Sequence, residues 1–284
     1  MTRPPVRWRI RDRLLDTGGR TLVMGILNVT PDSFSDGGRF ADPETAVSHG
    51  LAMASRGADL VDVGGESTRP GSVRVEVSEE LRRVVPVVRA LAGAGVAVSI
   101  DTMKPAVAAA AIDAGASVIN DVTALADPEM GRIAADAGVG VVLMHMAGTP
   151  ETMQDDPRYD DVVEEVAAFL GERAALAASS GIDPAAICID PGIGFGKDLG
   201  HNLALLAAIP RLAALGYPVM VGASRKRFLT GILGDLPAEQ RDPPTAAAHA
   251  LAIAGGAAVI RVHDVVTAVR AARVADAIVG AGRR

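Results

Sequence analysis

The sequence predicts a (β/α)8 TIM barrel preceded by an N-terminal β-hairpin. Three observations lead there. Short apolar runs recur along the chain, too brief for helices and apolar on both faces, as parallel strands are. Helix-length segments separate them into eight strand–helix units, and eight units close a barrel. Five runs end on polar side chains that a core strand does not need: Asn28, Asp101, Asn120, Asp190 and Arg261. Functional groups in such barrels sit where strands end, so these residues locate an active site before any motif is consulted.

Taken in order, Val6, Trp8 and Ile10 alternate with Arg7 and Arg9, the pattern of a half-exposed strand, and Gly18-Gly19 can turn the chain back. Residues 6–20 therefore read as a hairpin capping the barrel floor, with residues 1–20 as cap and 21–284 as one barrel domain. The first barrel strand covers 22–27 and closes on Asn28; a long loop, 29–42, precedes a helix over 43–56. The second covers 60–63, with a Gly-rich loop to residue 77 and a helix over 79–94, where Leu81, Val84, Val85, Val88 and Leu91 recur at i, i+3, i+4 spacing and Pro86 predicts a kink. Strand three ends at Asp101 and its helix follows Lys104-Pro105. Strand four ends at Asn120, with a helix over 128–137. Strand five covers 139–144, followed by a loop to about residue 159 and a long helix to 179. Strand six ends at Asp190, then a glycine-rich loop over 191–197 and a helix over 203–215. Strand seven covers 218–222, with a broken helical region after it to 254. Strand eight ends at Arg261, and residues 265–279 form the closing helix.

The 284 residues exceed the usual domain, yet barrels of about 250 residues form single domains. An apolar share of 49% with only 3% aromatics implies a core of Ala, Val, Leu and Ile. The net charge of −6, without a basic face, argues against nucleic acid as the partner. The basic N-terminus lacks an apolar stretch of signal length, and no run approaches a membrane span of roughly 18 residues. Cys188 is the only cysteine and falls in a predicted strand, where it reads as a small core residue. The expectation is a soluble cytoplasmic protein without a membrane partner.

Several constellations carry chemistry. The loop Asn28-Val29-Thr30-Pro31-Asp32-Ser33-Phe34-Ser35-Asp36-Gly37-Gly38 is either a surface loop rich in turn formers or a lid whose Phe34 covers something. Gly64-Gly65-Glu66-Ser67-Thr68-Arg69-Pro70-Gly71 reads equally as a structural turn or as a phosphate cradle of backbone N–H groups, hydroxyls and a guanidinium fork. Arg261 and His263, at i and i+2 of one strand, face the same side, and an anion explains that pair better than a core histidine does. Asp101, Asn120, Asp190 and Lys226 can each be a local cap or tether. Together they offer acceptors, an amide and an ammonium, a set that suits the edge of a flat heterocycle and suits a metal cluster poorly.

The ordered set of motifs resembles the dihydropteroate synthase family over about residues 20 to 278. It comprises the two loops above together with Gly25-Ile26-Leu27, Ser99-Ile100-Asp101-Thr102, Ile119-Asn120-Asp121, Asp190-Pro191-Gly192-Ile193-Gly194-Phe195-Gly196-Lys197, Ser224-Arg225-Lys226 and Arg261-Val262-His263-Asp264-Val265. The resemblance implies condensation of (7,8-dihydropterin-6-yl)methyl diphosphate with 4-aminobenzoate, giving 7,8-dihydropteroate and diphosphate with Mg²⁺, in a homodimer. It implies Asn28 as magnesium ligand, Thr68, Arg69, Arg261 and His263 on the diphosphate, and Asp101, Asn120, Asp190 and Lys226 around the pterin. Phe34, Pro70, Lys226 and Arg227 are the residues implied for 4-aminobenzoate. Asp36, Arg69, Asp101, Lys226, Arg261 and His263 are the implied catalytic residues.

Two departures stand out. Arg227 follows Ser-Arg-Lys where many members carry Ser, which bears on the benzoate carboxylate. Asp242-Pro243-Pro244-Thr245 replaces the usual Gly-Thr or Gly-Ser, with little effect expected because proline is tolerated in a first helical turn. A methyltetrahydrofolate–corrinoid methyltransferase would share a pterin pocket but needs no diphosphate clamp. A non-catalytic pterin-binding paralogue would bind without turnover.

Overall fold

The computed structural model describes residues 7–30, 43–67 and 74–282. Eight parallel strands follow one another around an axis: β3 (Leu22–Asn28), β4 (Leu60–Gly64), β5 (Val98–Asp101), β6 (Val118–Asp121), β7 (Gly140–Met144), β8 (Ile187–Asp190), β9 (Met220–Val221) and β10 (Val259–Val262). They pair in chain order and β10 returns to β3, as a (β/α)8 barrel requires. Between β8 and β9 the described contact is one bridge, Ile189 to Val219, beside a bond from Ile189 N–H to Pro218 O at 2.9 Å. That is the thinnest seam of the barrel, and β9 is shorter than the five residues its sequence suggests.

The helices are α1 (Pro43–Ser55), α2 (Val77–Gly93), α3 (Pro105–Asp113), α4 (Pro128–Ala137), α5 (Val162–Ser179), α6 (Leu199–Ala207), α7 (Ile209–Ala213), α8 (Phe228–Leu233), α9 (Asp242–Ala254) and α10 (Val265–Ala281). Local chemistry sets several of their ends. Asp127 accepts from Glu129 N–H to start α4, and Gly138, at φ +60°, stops it. The single helix expected over 203–215 is two. The first begins four residues earlier, where Asp198 accepts from His201 N–H and the His201 ring answers the Asp198 N–H in a capping box.

Period-two alternation splits the core into two shells. Outward residues such as Val61, Val63, Ile100 and Ile119 pack under the helices. Inward residues Leu22, Met24, Leu60, Val118, Val142, Cys188 and Met220 fill the barrel. Trp8 and Ile10 of the hairpin, β1 (Arg7–Ile10) and β2 (Arg13–Asp16), are fully buried against this inner set, and Trp8 Nε1 donates to Ala186 O at 3.0 Å. The hairpin thus packs against the inner residues of the barrel. Its turn lies elsewhere: Arg11, at φ +51°, and Asp12 reverse the chain, while Gly18-Gly19 lead into β3. No helix among the described residues is long and apolar enough to cross a membrane.

Candidate active site

The same alternation that buries Leu60, Val118 and Cys188 inside the barrel carries Asn28, Asp101, Asn120, Asp190 and Arg261 onto its inner face at the carboxyl ends of the strands, with Asp62 on that face in the middle of β4. Arg261 lies between two acids. Its Nε donates to Asp62 Oδ2 at 2.6 Å and its Nη2 to Asp101 Oδ2 at 2.6 Å. Asn120 Nδ2 donates to the same Asp62 oxygen at 2.9 Å. A Cβ placed on Gly222 would lie 3.9 Å from Arg261 Cβ and 3.9 Å from Asp190 Oδ2, so Asp190 and Arg261 share one rim and one opening.

Burial sets the charge states here. It pushes Asp101 up to about 7, against the pull of Arg261 and with added repulsion from Asp62. Burial also raises Asp190, opposed by the Gly192 N–H that its Oδ1 accepts at 2.7 Å and by Lys226. Lys226 is lowered to about 7 by burial, with Asp190 holding it up. Burial would lower Arg261 too, but Asp62 and Asp101 more than offset it and keep the guanidinium above its ordinary value.

The loops after β8 and β9 place the remaining groups. Gly192 has φ +67°, and a Cβ there would meet His145 O at 1.9 Å, so only glycine lets the chain pass that carbonyl. Lys226 Nζ donates to Ile193 O and sits 4.0 Å above the centre of the Phe195 ring. Ser224 Oγ accepts from His263 N–H at 3.2 Å and lies 2.9 Å from His263 Nδ1.

Asn28, partly buried, sits on the rim beside Gly64: a Cβ on that glycine would lie 3.8 Å from Asn28 Oδ1. No group of three or more His, Cys, Asp or Glu among the described residues could hold a metal by itself. A single amide oxygen suits Mg²⁺, which keeps several waters and takes its other ligands from substrate phosphates. Phe34, Asp36, Thr68, Arg69 and Pro70 lie outside the described residues. Arg227 is exposed at the start of α8.

Three features escaped the sequence reading. Asp62 is fully buried inside a run taken as apolar, although its parity with Gly64 and Leu60 already faces it into the barrel. Lys197 Nζ is buried 3.0 Å from His145 Nδ1 and 2.9 Å from Phe195 O, tying the glycine-rich loop to β7; burial lowers it to about 7 despite Asp190. Arg225, at φ +58°, turns its side chain onto Asp242, with Nε and Nη2 each 2.7 Å from a carboxylate oxygen. The Asp242 departure, expected to matter little, therefore anchors the loop that carries Ser224 and Lys226. We expect Asp242→Ala to cost about 1 kcal/mol, since this bidentate pair is only partly exposed, and to weaken catalysis through Lys226. Urea titration alongside steady-state kinetics checks both; unchanged kinetics would remove the loop-anchoring role.

With the geometry in place, the comparisons are specific. The family model described as pterin binding enzyme matches residues 24–263. A dihydropteroate synthase from Mycobacterium leprae is 50% identical over 267 residues, which is 92% of this chain and 94% of that protein. The solved structure of Xanthomonas albilineans dihydropteroate synthase with 4-aminobenzoic acid is 51% identical with a TM-score of 0.89, covering 96% of this chain and 97% of that one. The same enzyme in complex with 7,8-dihydropteroate is 48% identical with a TM-score of 0.86, covering 96% and 98%.

Proposed function

The chain belongs to the pterin-binding enzymes and, among them, to the dihydropteroate synthases, and on that premise we propose which residues carry the reaction. The enzyme condenses (7,8-dihydropterin-6-yl)methyl diphosphate with 4-aminobenzoate to give 7,8-dihydropteroate and diphosphate in folate biosynthesis. The observation that carries our assignment is the convergence of Asp101, Asn120, Asp190 and Arg261 on one rim.

In our reading Asp101, Asn120, Asp190 and Lys226 surround the pterin. Asp190 accepts from the amino group and the neighbouring ring N–H. The carboxyl groups of Asp62, Asp101 and Asp190 line this pocket and favour a ring that gains positive charge. We therefore favour an SN1-like path in which the CH₂–O bond breaks before the amine attacks. Arg261 already balances two acids, so its Nη1, which has no partner among the described residues, is the nitrogen left for diphosphate. His263, Thr68 and Arg69 belong to the same anion site. Asn28, with diphosphate oxygens, would hold Mg²⁺, which supplies neutralisation of the leaving group when bound. Asp36 and Phe34 belong to the covering loop. Pro70, Lys226 and the exposed Arg227 receive 4-aminobenzoate, with Arg227 as the cation for its carboxylate.

Mixing the protein with pterin diphosphate, Mg²⁺ and 4-aminobenzoate tests the assignment. Diphosphate release that requires the amine is the expected result, and tight binding without release would point to a regulator instead. Two further statements belong to the proposal. One is a cytoplasmic setting. The other is a homodimer through the last helices, supported by exposed apolar side chains: Leu251 of α9 at 73%, and Val274 and Ile278 of α10, four residues apart, at 62% and 69%. Leu251→Glu combined with Ile278→Glu should convert a dimer to a monomer in light scattering. A wild-type chain that is already monomeric would refute it.

A further inference from the structure

We propose that Asp62 is a positioning residue for pterin recognition: from beneath the rim it decides which end of the Asn120 carboxamide meets the ligand. The inference rests on the pterin reading of the site. Asp62 occupies the middle of β4, whose sheet neighbours are β3 and β5. Its bonds go further, to Asn120 on β6 and Arg261 on β10, two strands away in either direction. It therefore ties the rim together across the barrel interior, a connection the sheet itself does not supply.

Hydrogen-bond chemistry gives that tie a consequence. A carboxylate only accepts, so the amide it touches must offer nitrogen. Asn120 is thereby fixed with Nδ2 on Asp62 and Oδ1 as the atom that remains for a ligand. Without Asp62 the nearly symmetric carboxamide could turn over and present a donor. A ring edge bearing N–H groups would then meet a donor where it needs an acceptor. The same Asp62 oxygen holds Arg261 Nε and so fixes the guanidinium as well.

Packing alone does not call for an acid at this position. Asp62 is fully buried, and its Oδ1 has no hydrogen-bond partner among the described residues. An apolar residue such as Leu60, two positions earlier on the same face, would fill the space without that cost. Half of the carboxylate's capacity goes unused while the other half serves two site residues. That division fits positioning better than core stability.

The test uses 6-hydroxymethylpterin as probe in fluorescence titrations at pH 8. Asp62→Leu fills the same space without an acceptor, and we expect it to raise the pterin dissociation constant about tenfold while the KM for 4-aminobenzoate stays within about twofold. In an Asn120→Ala background the same change should add less than about twofold, because the residue it acts through is gone. An unchanged pterin constant in Asp62→Leu overturns the proposal, as does an undiminished effect in the Asn120→Ala background. Should Asp62→Leu fail to fold, Asp62→Asn serves as the second variant: because Oδ1 has no partner among the described residues, its carbonyl can keep the place of Oδ2 and the bonds to Asn120 and Arg261. It should bind pterin within about twofold of the wild type, and a tenfold loss there overturns the proposal. Failure of the wild-type chain to bind the probe would instead sink the pterin reading beneath it.

Discussion

Replacing Arg261 by Ala should cut turnover by ~10²-fold or more and, separately, cost about 3 kcal/mol of stability. The two losses have different origins. Turnover suffers because charge that develops on the departing diphosphate loses a donor held ready for it. Stability suffers because Asp62 and Asp101 are buried and both lean on this one guanidinium, at 2.6 Å each. Taking away one partner of a buried pair leaves an uncompensated charge, the costly case. From the sequence alone, Arg261→Ala is expected to cut turnover far more than stability. The two acids make that separation impossible for Ala, so a second substitution is needed. Arg261→Lys keeps a cation near Asp62 and Asp101 but lacks the planar fork that serves both at once. We expect it to recover most of the stability while turnover stays down by at least about tenfold. Kinetics measured well below each variant's melting temperature make the comparison. If the turnover of both variants merely follows their folded fraction, Arg261 is a structural residue.

That example shows what the sequence could reveal. Strand-end residues were legible because apolar runs stop on them and because parity within a strand is fixed. Asn28, Asp101, Asn120, Asp190 and Arg261 all stand on the inner face as parity requires. Asp62 is hidden because a short, mostly apolar run conceals the one acid within it. Its partners lie 58 and 199 residues away, and no local pattern encodes such pairs. Lys197 and Asp242 were missed for a related reason, since their meaning depends on which loop each one reaches. The hairpin turn failed differently. Glycines are the ordinary signal for positive φ, yet Arg11 adopts it, its Nη2 bonded to Ile112 O at 2.7 Å. The capping box that opens α6 was present in the sequence as Asp198 followed three residues later by His201. Histidine at that position is not the usual partner, so the sequence suggests a helix start four residues later than the one observed.

Asp190→Asn should leave the fold nearly intact and weaken pterin binding by about 100-fold. The reason lies in how the two carboxylate oxygens are divided. Oδ1 accepts from Gly192 N–H at 2.7 Å, inside a turn that Gly192 alone can make beside His145 O. Oδ2 is the oxygen beside the Gly222 opening. An asparagine in this place must keep its carbonyl on Gly192 N–H, because turning over would set N–H against N–H. Its nitrogen then takes the place of Oδ2 and offers donors to the donor edge of the ring. One charge-assisted bond is lost and a repulsive contact replaces it, together worth about 2–3 kcal/mol of binding. The Gly192 bond survives, so thermal unfolding should move by no more than the equivalent of about 1 kcal/mol. Burial penalises the ionised carboxyl at this site, so removing the charge does not by itself destabilise the chain. Titration calorimetry with a pterin ligand and a melting curve separate the two effects. A pterin dissociation constant equal to that of the wild type would show that Asp190 does not read the ring, and the pocket assignment would fall with it.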